Sequence, residues 1–133
     1  MDLKTHHIAL TVNNLDESIK WYKEKLRFEL IHRYKKDDME FALLSFGKIR
    51  IELFNFKNQT LPLPEYRKEL ISDLHTVGIK HLSLQTDDLE KSISDLKAKG
   101  VEFVTEIDSA AFGGHYIFFK DLNGILIELY SSK

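Results

Sequence analysis

Residues 5–12 alternate between apolar and polar, with Ile8, Leu10 and Val12 on one side and His7, Ala9 and Thr11 on the other. A period of two predicts a strand with one apolar face. Leu15, Ile19, Tyr22 and Leu26 then recur at helical spacing, which predicts an amphipathic helix over 15–26. Asn13-Asn14 supplies a turn and an N-cap, and Asp16 and Glu17 fall in the first turn, where the helix dipole favours acids. Residues 28–34, 39–46 and 48–55 read as three short strands, connected by Lys36-Asp37-Asp38 and by Gly47-Lys48. The predicted order for 5–55 is therefore β-α-β-β-β.

Residues 56–77 lose this periodicity. Asn58, Gln59, Pro62 and Pro64 punctuate the stretch, and only Tyr66 to Ile71 suggests a short helical turn. It reads as a linker, either a plain connector or a rim over a pocket. Beyond it the plan returns over 78–131. A strand at 78–86 runs through Asp87-Asp88 into a helix near 89–99, with Leu89, Ile93 and Leu96 on its apolar face and Gly100 as its C′ residue. Residues 101–106, 115–119 and 125–130 are the remaining strands; 108–114 is a loop with paired glycines, and Asp121-Leu122-Asn123-Gly124 is a tight turn.

The recurrence is a repeat. His7 matches His81, Leu15 matches Leu89 and Ser18 matches Ser92, each 74 residues on. Ile49-Arg50-Ile51-Glu52-Leu53-Phe54 is answered 76 residues later by Ile125-Leu126-Ile127-Glu128-Leu129-Tyr130. Repeats set architecture before any local reading does. The chain is predicted to be one α+β domain of two βαβββ modules, 5–55 and 78–131, each with a histidine near its start and a glutamate near its end.

Composition changes this picture little. At 133 residues, with 43% hydrophobic and 30% charged positions, the chain is long enough for a real core. A net charge of −2 offers no basic footprint for nucleic acid. No cysteine is present, which excludes disulfides, thiolate nucleophiles and cysteine-based zinc sites. No apolar run approaches membrane-spanning length, and no signal-like start is seen, so a cytoplasmic protein without membrane contact is expected.

The chemistry lies in the repeated pair. In each of the four strands concerned, aliphatic residues alternate with the candidate: Ile8 and Leu10 against His7, Ile51 and Leu53 against Glu52, Leu82 and Leu84 against His81, Ile127 and Leu129 against Glu128. The aliphatic face suits packing under a helix, which leaves the candidate on the other side. If both sheets curve so that their helix-free faces enclose a cavity, all four point into it. Burying two imidazoles and two carboxylates unpaired is costly, and a divalent cation removes that cost. Two nitrogens and two carboxylate oxygens suit Ni, Zn, Co, Mn or Fe. Taken singly, each residue reads as an ordinary surface or core side chain; the repetition is what makes a site of them.

His7 through Trp21-Tyr22 and Leu26, Gly78 through Leu89, and Asp121-Leu122-Asn123-Gly124 through Glu128 together resemble the vicinal oxygen chelate superfamily. That group spans glyoxalase I, bleomycin- and fosfomycin-resistance proteins, methylmalonyl-CoA epimerase and extradiol dioxygenases. The resemblance covers essentially the whole chain. It implies that His7, Glu52, His81 and Glu128 ligate one divalent metal whose open positions take vicinal oxygens of a small-molecule substrate. It further implies that Glu128 is the general base, with Glu52 as second carboxylate, and that the assembly is a homodimer.

The glutathione-using glyoxalases carry an arginine four residues after the first ligand, where this chain has Thr11; Asn55 stands one position before their asparagine, and no lysine lies in 107–119. A metal-dependent lyase or isomerase of the glyoxalase I type is the leading expectation. Extradiol dioxygenase-like, epimerase-like and fosfomycin-resistance-type enzymes are alternatives, as is a drug-binding protein of the bleomycin-resistance type. His6 is expected on the face opposite His7, and His32 and His75 at the surface. His115 is expected either near substrate or at the surface. Arg50 and Tyr130 are expected beside the ligands. Phe54, Phe56, Phe112, Phe118 and Phe119 are expected to wall an apolar pocket or to join the core.

Overall fold

A computed structural model describes residues 1–133, which divide into two compact units, Met1–Pro62 and Leu63–Lys133. The boundary falls inside the segment expected to link the modules.

The first unit runs β1 (Ile8–Thr11), α1 (Leu15–Leu26), β2 (Glu29–Lys36), β3 (Met39–Phe46) and β4 (Ile49–Phe56). Its four strands lie in the order β1-β4-β3-β2, with β1 parallel to β4 and the other pairs antiparallel. α1 begins where the Asn14 side chain accepts from the Glu17 backbone N–H at 3.0 Å. It ends with Arg27 in the left-handed region at φ 62°, where the Phe28 N–H reaches back to the Tyr22 carbonyl. The helix buries Leu15, Ser18, Ile19, Tyr22 and Leu26. These meet the sheet face that carries Ala42, Leu44, Ile51 and Leu53, all at most 1% exposed. The core thus lies between α1 and one face of the sheet.

The second unit starts with a 3-10 turn (Glu65–Arg67) and α2 (Leu70–Leu74), then β5 (Leu82–Gln85), α3 (Leu89–Ala98), β6 (Glu102–Phe103), β7 (Asp108–Ser109), β8 (His115–Lys120) and β9 (Leu126–Ser131). The sheet order is β5-β9-β8-β6, with β7 also pairing β8. β5 is parallel to β9, repeating the β1–β4 arrangement. Asp88 caps α3 by accepting from the Lys91 N–H at 3.0 Å. Gly100, at φ 79°, closes the helix, with its N–H on Lys97 and the Val101 N–H on Leu96. Ile93, Leu96, Val101, Ile117, Phe119, Ile127 and Leu129 form this unit's core.

The strand expected at 101–106 is only two residues long, and a further two-residue strand forms within the expected loop 108–114. Both are fixed by pairing with β8, Phe103 opposite Phe119 and Asp108 opposite Tyr116. Non-local ladders of this kind leave no periodicity to read. The segment ahead of β5 is well anchored: Lys80 Nζ donates to the carbonyls of Asp73, at 2.7 Å, and of Thr76, and the Asp73 carboxylate is buried beneath it. No helix in the chain is long and apolar enough to cross a membrane.

Candidate metal-binding site

The parallel ladders place the candidates. Ala9 faces Glu52 across β1–β4, and Ser83 faces Glu128 across β5–β9. In each unit the histidine sits two residues before the glutamate's partner, so a period of two returns it to the glutamate's side of the sheet. His7 Nε2 lies 3.6 Å from Glu52 Oε1, and His81 Nε2 lies 3.5 Å from Glu128 Oε2. Both glutamates are shielded, at 13% and 17% side-chain exposure.

Each carboxylate also accepts from a hydroxyl. Tyr34 Oη donates to Glu52 Oε2 at 2.9 Å, and Ser83 Oγ donates to Glu128 Oε1 at 2.6 Å. The bond to Glu52 holds the Tyr34 phenol above its ordinary pKa, with burial and the carboxylate charge adding to the effect. Tyr116, on the same face as Glu128, is raised chiefly by burial, then by the charge of Asp108, its hydrogen bond with Asp108, and the charge of Glu128.

Whether this donor set fits a cation is decided by spacing and chemistry. A separation of 3.5–3.6 Å is too long for a normal hydrogen bond between imidazole and carboxylate. It is close to that of two donors sharing one ion, which stand roughly 3.0–3.4 Å apart when each bond is about 2.1 Å. Nitrogen and oxygen donors in half-buried pairs suit a borderline divalent ion, so the residues fit. The four candidates are brought together as two pairs, and the chain shows no group of three or more histidines and acids that could hold a metal ion.

Other expected neighbours sort as follows. His6 is not turned away from His7: its Nδ1 is 2.7 Å from His7 Nδ1, and Arg50 Nη1 is 3.4 Å from its Nε2. β1 begins at Ile8, two residues after His6. Asn55 lies on the helix side, donating to the Val12 carbonyl at 3.1 Å. His115 pairs with Ser131 on the face opposite Glu128 and is exposed, which assigns it to the surface. Tyr130 shares the Glu128 face but spends its hydroxyl on the Gly113 carbonyl at 2.9 Å.

Of the phenylalanines, Phe119 is core, and Phe118 is buried edge-on to His81 at 4.8 Å. Phe54 continues an aromatic run with Phe41 and Tyr34 on the Glu52 face, and Phe112 is 80% exposed. Sequence reading missed Tyr34. Its sole signal was a tyrosine on the same strand face as His32, and the bulge between Leu30 and His32 obscures that register.

The sequence profile of the glyoxalase/bleomycin resistance protein/dioxygenase superfamily matches residues 4–129. The uncharacterized protein YwkD of Bacillus subtilis is 29% identical over 128 residues, covering 94% of each chain. A probable lactoylglutathione lyase of Vibrio parahaemolyticus is 28% identical over 130 residues, covering 96% of this chain and 89% of its own. The crystal structure of a glyoxalase family protein from Enterococcus faecalis superposes with a TM-score of 0.79 at 25% identity, covering 96% of both chains.

Proposed function

The chain belongs to the glyoxalase/bleomycin resistance protein/dioxygenase superfamily, and from that premise we propose that it is a divalent-metal-dependent lyase or isomerase of the glyoxalase I type. Its substrate in this reading is a small molecule with vicinal oxygens, such as the adduct of a 2-oxoaldehyde with a thiol. His7, Glu52, His81 and Glu128 are the ligand set, with one ion per chain, and the chain works as a homodimer. One observation carries the reading: two histidine–glutamate pairs, built from opposite ends of two sequence modules, recur in the same ladder register at the same separation.

A divalent ion held there supplies Lewis acidity toward substrate oxygens. The chain's own part is proton handling. Glu128 accepts the proton from the hydroxyl-bearing carbon next to a carbonyl and returns it to the carbonyl carbon, while the hydroxyl proton passes to the former carbonyl oxygen and Glu52 offers a second carboxylate to the substrate. The net change is an isomerisation, so no external oxidant or reductant is required.

Metal analysis of the purified chain should give about one divalent ion per chain, matching the ligand count. Glu128→Gln is expected to lower turnover of the preferred thiol adduct by about 100-fold or more, with thermal stability retained. A panel of hemithioacetals made from different thiols identifies that adduct. A chain that is purified metal-free and takes up no ion on titration overturns the proposal.

A further inference from the structure

The two hydroxyls that hold the glutamates come from unrelated places. In the second unit the donor is Ser83, directly across the ladder from Glu128; it takes Oε1, while Oε2 faces His81. The equivalent position in the first unit is Ala9, which has nothing to donate. There the bond comes from Tyr34 on β2, with β3 lying between it and β4 in the sheet. Tyr34 takes Oε2 and leaves Oε1 facing His7. Its ring is held edge-on to Phe41 at 3.8 Å between centroids, so the phenol is placed by a rigid neighbour.

Both units therefore reach one arrangement by different residues. One carboxylate oxygen is fixed by a hydroxyl, and the other is turned toward the imidazole. A hydroxyl serving only to fill space has no reason to reappear on the same group from a different strand. We propose that Tyr34 and Ser83 are positioning residues that restrict Glu52 and Glu128 to one cation-facing oxygen each, beside the histidine of the same unit. This rests on the ligand-set reading above. A glutamate without such a partner rotates about its last torsion and can offer both oxygens. One that is pinned loses less freedom on ligation and occupies a single coordination position, which leaves others for substrate.

Cobalt titration of the chelator-treated full chain tests this without reference to turnover, read by visible absorption and by competition with a chromophoric chelator. Tyr34→Phe and Ser83→Ala are each expected to weaken binding by about 10- to 100-fold, with the thermal midpoint of the metal-free protein unmoved. Adding Ala9→Ser to Tyr34→Phe restores a hydroxyl at the position matching Ser83 and should recover most of the loss. Variants that bind like the wild type, a loss that tracks destabilisation of the metal-free protein, or no recovery with Ala9→Ser each overturn the positioning role while leaving the ligand set standing. A wild-type chain that binds no cobalt removes the ligand set, and this proposal with it.

Discussion

Gly114 has no room for a side chain. Its φ is +81°, and a Cβ built there would lie 2.1 Å from the carbonyl oxygen of Ser131. Backbone cannot yield as a flexible side chain does, so Gly114→Ala should cost about 2 kcal/mol or more, read as a lowered thermal midpoint. At the same scale, Tyr34 and Tyr116 have hydroxyl pKa values raised above the ordinary 10.0. In an alkaline absorbance titration, Tyr34→Phe and Tyr116→Phe should each remove one tyrosine that ionises above the ordinary value. The two histidine–glutamate pairs were legible because a period of two fixes the side of the sheet and the repeat, at offsets of 74 and 76 residues, fixes the position. Tyr34 was not, since what matters about it is a contact across three strands, and no local pattern encodes that.

α1 and α3 differ at their ends in an instructive way. Both close with a residue of positive φ, but α3 uses Gly100 and α1 uses Arg27. A left-handed L-residue costs about 1–2 kcal/mol, and glycine avoids that cost. Arg27→Gly should therefore raise stability by about 0.5–1 kcal/mol net of glycine's greater unfolded entropy, checked by denaturant unfolding. The bounds of α1 could be read from sequence to the residue because its start is marked by a local cap, Asn14 to Glu17, and its buried face by Leu15, Ile19, Tyr22 and Leu26. The second module's early strands could not. β6 and β7 exist only as partners of β8: what reads as a strand over 101–106 keeps only Glu102–Phe103, with the Val104 N–H on the Phe118 carbonyl, and β7 falls in what reads as a loop.

For the whole molecule, the expected assembly is a pair of chains. Every sheet here ends in strands with one side unpaired, and β2 leaves Ile31 and Tyr34 at 40% and 39% exposure. Sedimentation at micromolar concentration should give twice the chain mass of 15.6 kDa. A single-chain mass would count against the dimer.

The parallel pairing of each module's first and last strands governs the order of events during synthesis. Glu128 lies 45 residues beyond Ser83, so the second histidine waits for a carboxylate brought to it by a distant strand. Such closure is the slow, non-local step of the module's folding. Under the ligand set proposed above, the second module offers no paired donors until β9 has docked on β5.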